Sequence, residues 1–248
     1  MATELKIDYP AVVAEQSAAF TAAVSRPGAL ARSVPSCPGW TVADLVTHLG
    51  EVMTWWAHTL AEGGLMPEEE AVLTVATPGA DLLGWWRARA GALTEALRGT
   101  PPESPVWCWW HPEQLGTAAE VAERMAHEAL VHRWDAEHAL GQATPLPAEL
   151  GAAGIVEFAT RMLPAREDTW TGSTGVVRLH ATDLDRVWDF RAGEDGPRLL
   201  PEPAEAPAAV IAGAAGDLDL LLWRRPAVVS TTGDRELAAA FLDWADLG

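Results

Sequence analysis

The chain has 248 residues, 49% of them hydrophobic and 21% charged, with a formal net charge of −18. That length supports one large domain or two modest ones with separate cores, and the composition excludes a disordered chain. So acidic a surface repels phosphate backbones and anionic headgroups, so neither nucleic acid nor a membrane is expected as a partner.

The two cysteines, Cys37 and Cys108, form no CxxC pair. A disulfide framework is therefore not expected, and a reducing, cytoplasmic compartment is. The N-terminal stretch Met1-Ala2-Thr3-Glu4-Leu5-Lys6 has neither a basic nor an apolar signal-peptide region. No apolar run approaches the roughly 18 to 20 residues that span a bilayer.

Apolar residues at helical spacing predict a first helix from Pro10 to Arg26, stopped by Pro27-Gly28. A rigid turn, Pro35-Ser36-Cys37-Pro38-Gly39-Trp40, leads to Thr41, an N-cap whose capping box is closed by Asp44. That second helix runs through His48 to about Leu60 and ends at Gly63-Gly64. An acidic loop follows. Pro78-Gly79-Ala80-Asp81 opens a third helix ending near Arg98-Gly99, and Thr117 to Glu120 is a second capping box opening a fourth, which ends at Leu140-Gly141. Four such helices predict a bundle. A helical stretch from Ala148 to Leu163 reads as a connector. The period then changes: Val176 to Ala181, Arg186 to Phe190, Pro207 to Ile211 and Ala227 to Thr231 read as strands, with helices at Asp217 to Trp223 and Asp234 to Asp246. The expected fold class is α+β, a four-helix bundle over residues 1–165 followed by a small α/β domain over 166–248.

Chemistry concentrates in Met125-Ala126-His127-Glu128-Ala129-Leu130-Val131-His132-Arg133-Trp134-Asp135. On a helix, Glu128 and His132 lie about 40° apart around the axis and about 6 Å along it, so carboxylate and imidazole reach one ion. In a bundle such an ion takes ligands from facing helices, and His48, mid-helix among Val42, Leu45, Val46 and Leu49, is the natural third. The spacing alone is common, and a solvated side-chain pair is the plain alternative. His58, His127 and His138 are expected on helix surfaces, and His180 within a strand. Most of the thirteen tryptophans belong in the core. The pairs Trp55-Trp56, Trp85-Trp86 and Trp109-Trp110 point two ways on a helix, so one of each can face a cleft. Asp135 has two readings, orienting a ligand or pairing with Arg124 or Arg133.

The segment from Cys37 to Leu49 and the segment from His127 to Glu137 resemble the mycothiol-dependent maleylpyruvate isomerase family, which belongs to the DinB-like metal-binding bundles. Leu179 to Asp183, Gly216 to Arg225 and Gly233-Asp234 match the family's C-terminal half, in order, so the likeness covers nearly the whole chain. It departs at Val156, where an Asp is expected. The resemblance implies zinc, or another divalent metal, on His48, Glu128 and His132, mycothiol as cosubstrate, and a small-molecule electrophile as substrate. Two imidazoles and one carboxylate leave the ion a net positive charge and open positions, at which a thiol loses its proton. The expected activity is an S-transferase or a cis–trans isomerase. A non-catalytic binding protein of the same fold and a metal hydrolase are the alternatives. Arg224 and Arg225, after Leu220-Leu221-Leu222-Trp223, read either as partners for a substrate carboxylate or as solvated residues at a helix C-terminus.

Overall fold

A computed structural model describes residues 7–66, 78–111, 113–165 and 169–245. The acidic segment 67–77 predicted as a loop, and the N-terminal Met1 to Lys6, lie outside the described residues. The chain divides into two compact units, Met1–Thr144 and Pro145–Gly248.

The first unit is built on four helices, α1 (Tyr9–Val24), α2 (Val42–Ala61), α3 (Leu82–Gly99) and α4 (Ala118–Ala139). Their starts are fixed locally. Asp8 accepts from the Ala11 amide at 3.1 Å and Asp81 from the Gly84 amide at 2.8 Å. Both predicted capping boxes form, Thr41 with Asp44 and Thr117 with Glu120. Each supplies side-chain acceptors to amides that an isolated helix end leaves unpaired. α1 packs on α3 and α4, and α2 packs on the same two, which closes a four-helix bundle. Phe20, Leu45, Leu49, Met53, Trp86, Leu93 and Met125 are fully buried at its centre. The Trp86 indole meets the Phe20 ring edge-on at 4.9 Å, and its N–H donates to Thr21 Oγ1 at 2.8 Å.

Between α3 and α4 a two-residue antiparallel ladder pairs β1 (Pro105–Val106) with β2 (Gly116–Thr117), an element too short to leave a periodic signal in sequence. Gly64, with φ of 80°, fastens this loop to the end of α2: its carbonyl accepts from the Trp107 amide at 2.6 Å. A Cβ there would lie 2.1 Å from the Pro105 carbonyl oxygen, so only glycine permits the approach. Trp109-Trp110, expected on a helix, sit in a turn of this loop.

The second unit opens with α5 (Ala148–Glu157), which continues as a π turn over Phe158–Met162 and a 3-10 turn over Leu163–Ala165. This stretch falls on the N-terminal side of the predicted boundary near residue 165. Its Ile155, Phe158, Met162 and Leu163 share a core with Val177, Leu179 and Phe241, within the second unit. The strands β3 (Gly175–Ala181), β4 (Arg186–Ala192), β5 (Arg198–Leu199), β6 (Ala209–Gly213) and β7 (Val229–Gly233) form a sheet in the order β5-β4-β3-β6-β7. Only the β3–β6 pairing is parallel. The helices α6 (Ala215–Leu222) and α7 (Arg235–Trp244) pack on the sheet, and α5 packs on α6. A Cβ on Gly151 would lie 2.7 Å from the Gly216 backbone, so the absence of a side chain sets that helix spacing. No described helix is long and apolar enough to cross a membrane.

Because the Trp86 indole is both fully buried and hydrogen-bonded, Trp86→Ala should cost about 3 to 5 kcal/mol of unfolding free energy, as large aromatic deletions do. Chemical denaturation of the variant beside the parent protein measures it.

Candidate metal centre

Three residues predicted as ligands converge inside the first unit. The capping box at Thr41 sets the rotational phase of α2, burying Val42, Leu45, Val46 and Leu49 completely and leaving His48 beside them with 36% of its side chain exposed. On α4, Glu128 and His132 are one turn apart and both nearly buried. Glu128 Oε1 is 3.2 Å from His132 Nε2 and 3.5 Å from His48 Nε2. The two imidazole rings stand edge to face, with centroids 5.3 Å apart. One donor atom from each residue lies within 4.8 Å of the other two.

The neighbours of these groups supply the electrostatics. Burial opposes the charge on Glu128, but Arg124, one turn earlier and ion-paired with it, together with His132, outweighs that and holds the carboxyl well below its ordinary range. Burial likewise opposes charge on His132, yet Glu128 and then Asp135 raise its pKa from 6.5 to about 9. Asp135 is fully buried; its Oδ2 lies 2.9 Å from His132 Nδ1 and its Oδ1 accepts from Ser36 Oγ at 2.5 Å. With Nδ1 engaged, the ring presents Nε2 toward Glu128 and His48. Arg133 lies against Gln16, Glu137 and Thr144. The Trp40 ring packs 5.0 Å from that of His48.

A cavity of about 360 Å³ opens beside the cluster, walled by Trp55, Trp56, Trp107 and Trp109 and reaching Arg124 and Glu128. Trp55 and Trp56 come from α2, and where one of the pair was expected to face a cleft, both line this cavity. His127 differs from expectation: it is 5% exposed, because α4 is buried on nearly every side from Met125 to Ala136. In the second unit, Arg224 follows α6 in a left-handed conformation, with φ of 62°. It reaches the Leu242 carbonyl at 3.4 Å and Asp243 at 3.5 Å, while Arg225 donates to the Trp223 carbonyl at 2.7 Å.

Comparison with known proteins shows the family of the bundle. The family defined by the mycothiol maleylpyruvate isomerase N-terminal domain matches residues 11–137. The chain belongs to that family. The matched stretch covers α1 to α4 almost entirely and contains His48, Arg124, Glu128, His132 and Asp135. Two solved structures share the fold. The crystal structure of the mycothiol-dependent maleylpyruvate isomerase superposes with a TM-score of 0.64 at 16% identity, covering 94% of this chain and 96% of that one. That of a histidine-to-alanine mutant of the same enzyme gives 0.61 at 14%, covering 89% and 91%. No curated protein sequence matches the chain.

The bundle of this chain thus encloses an ion-paired cluster whose two shifted groups act in opposite directions on stability. Without metal, the His132 contribution is complete below pH 6.5 and lost as the pH rises through about 9. That of Glu128 is present above its ordinary 4.5 and lost as the pH falls further. Chelator-treated protein should therefore melt at lower temperature as the pH rises from about 6.5 to 9. The same scan of His132→Ala should lose that slope.

Proposed function

We propose that this chain is a metal-dependent, mycothiol-using enzyme, a cis–trans isomerase of the maleylpyruvate isomerase kind or an S-transferase, working in the cytoplasm on a small-molecule electrophile. The observation that carries the proposal is the convergence of His48, Glu128 and His132 in the bundle of a family named for a mycothiol-dependent reaction. Two imidazoles and a carboxylate suit zinc or another borderline divalent ion, and a set of three leaves positions open for an exogenous ligand.

Each residue has a defined task. Glu128 brings a carboxylate that Arg124 keeps ionised, so no proton has to be removed from it when metal binds. His132 brings Nε2, aimed by Asp135, which is itself fixed by Ser36. His48 brings a third donor from the facing helix. A divalent ion held there supplies positive charge that favours the deprotonated form of a thiol at neutral pH. Cys108 is fully buried, Cys37 is half-buried, and neither belongs to the converged group, so the proposal assigns the nucleophilic sulfur to mycothiol. Arg224 and Arg225 enter the proposal as partners for an anionic substrate group, a role their exchange for alanine tests separately from metal binding.

Purified protein should carry about one equivalent of divalent metal, and His132→Ala should lose both the metal and thiol-dependent turnover while keeping its helical circular dichroism. Asp135→Asn keeps the shape of its side chain but weakens the acceptor on His132 Nδ1. It should weaken metal binding by about 10- to 100-fold, as loss of such an orienting partner does. Full thiol-dependent turnover by metal-free His132→Ala would overturn the proposal.

A further inference from the structure

The cavity beside the candidate centre carries its own information about the substrate. Its walls are tryptophan rings from two places, Trp55 and Trp56 on α2 and Trp107 and Trp109 on the loop between β1 and β2. The rings brace one another: Trp55 meets Trp107 at 6.4 Å and Trp109 meets Trp110 at 5.3 Å, both edge to face, and Trp110 in turn packs on Trp56 at 5.4 Å. Packing rings against rings fixes their planes before any guest arrives, which lowers the entropic cost of binding. Trp109 is 45% exposed, a large apolar surface left beside the opening.

The polar end of the cavity is Arg124 and Glu128, which are ion-paired with each other. The rest of the wall is dominated by indoles. A neutral, flat, apolar group gains offset or edge-to-face contacts with them, whereas a guest carboxylate set against those rings gives up hydration that they do not replace. Size agrees: apolar cavities of roughly 150 Å³ hold benzene, and this one, at about 360 Å³, admits a substituted ring.

We infer that the Trp55–Trp56–Trp107–Trp109 cavity is the subsite for a neutral aromatic portion of the electrophile, with any carboxylate of that substrate lying outside it. The inference rests on the thiol-enzyme reading only for what the guest is; the cavity's preference can be measured with neither thiol nor metal.

The test uses three unreactive ketones of one form, MeCO–CH2–CH2–R, with R phenyl (benzylacetone), methyl (methyl propyl ketone) or carboxylate (levulinate), titrated calorimetrically into the full chain after chelator treatment, so that no open metal position competes for the carboxylate. Benzylacetone should bind at least about tenfold more tightly than methyl propyl ketone, a step of one decade in Kd, and levulinate most weakly. Trp109→Ala, at an exposed position, and Trp107→Ala, at a half-buried one, should each shrink the phenyl preference without changing metal content. Levulinate binding as tightly as benzylacetone overturns the inference, as does a phenyl preference untouched in both variants. Turnover of the corresponding unsaturated ketones with mycothiol separates the two claims. A tryptophan-dependent phenyl preference without thiol-dependent turnover supports the cavity assignment and removes the thiol reading. Turnover of the unsaturated phenyl ketone that ignores Trp107 and Trp109 overturns the cavity assignment and leaves the thiol reading in place.

Discussion

An ionised carboxylate held among packed helices loses several kcal/mol of solvation unless opposite charges and hydrogen bonds replace the water. Glu128 is such a group, 9% exposed on the buried helix α4. Arg124 replaces part of the lost solvation from one turn below, and protonated His132 replaces part from one turn above. Asp135 then does for His132 what His132 does for Glu128. The cluster is a chain of alternating charge, tied together by the His132 proton. On the proposed function, metal uptake replaces that single proton by a divalent cation, which raises the positive charge facing Glu128 by one.

Helical periodicity makes the chain of charges possible. Arg124, Glu128, His132 and Asp135 are separated by four, four and three residues, so they run as one polar stripe along the helix, with His127 and Arg133 lying off it. The capping box at Thr117 fixes where the helix begins, and the one at Thr41 fixes the phase of α2, which delivers His48 to the stripe from the opposite side. The turn before α2 contributes twice. Ser36 anchors Asp135, and Trp40 backs the ring of His48. The loop between α3 and α4, tied to the end of α2 through Gly64, brings Trp107 and Trp109 to the same part of the bundle.

What could be read from the sequence is what depends on short spacings. The four bundle helices, both capping boxes, the Glu128–His132 pair and the change of period after the bundle are all patterns within a few residues, and the structure has each of them. The partners that complete the cluster divide by distance along the chain. Arg124 lies four residues from Glu128, and its pairing was open to the same spacing argument that singled out His132. Ser36 lies 99 positions from Asp135, and no local pattern joins them. His127 was expected on a surface because histidine is polar, but α4 is enclosed by its neighbours on nearly all sides and burial there is decided by tertiary packing. Trp109-Trp110 carry no turn signal of their own, and the two-residue ladder that holds their loop is too short for alternation to be seen.

X-ray absorption at the zinc edge, on protein reconstituted with zinc, tests the central claim most directly. The account predicts a first shell of nitrogen and oxygen at about 2.0 to 2.2 Å with no sulfur, from His48, Glu128, His132 and solvent, and the appearance of one sulfur at about 2.3 Å when mycothiol is added. A protein that retains no zinc, or a shell containing sulfur before any thiol is supplied, or a shell unchanged by mycothiol, would contradict it.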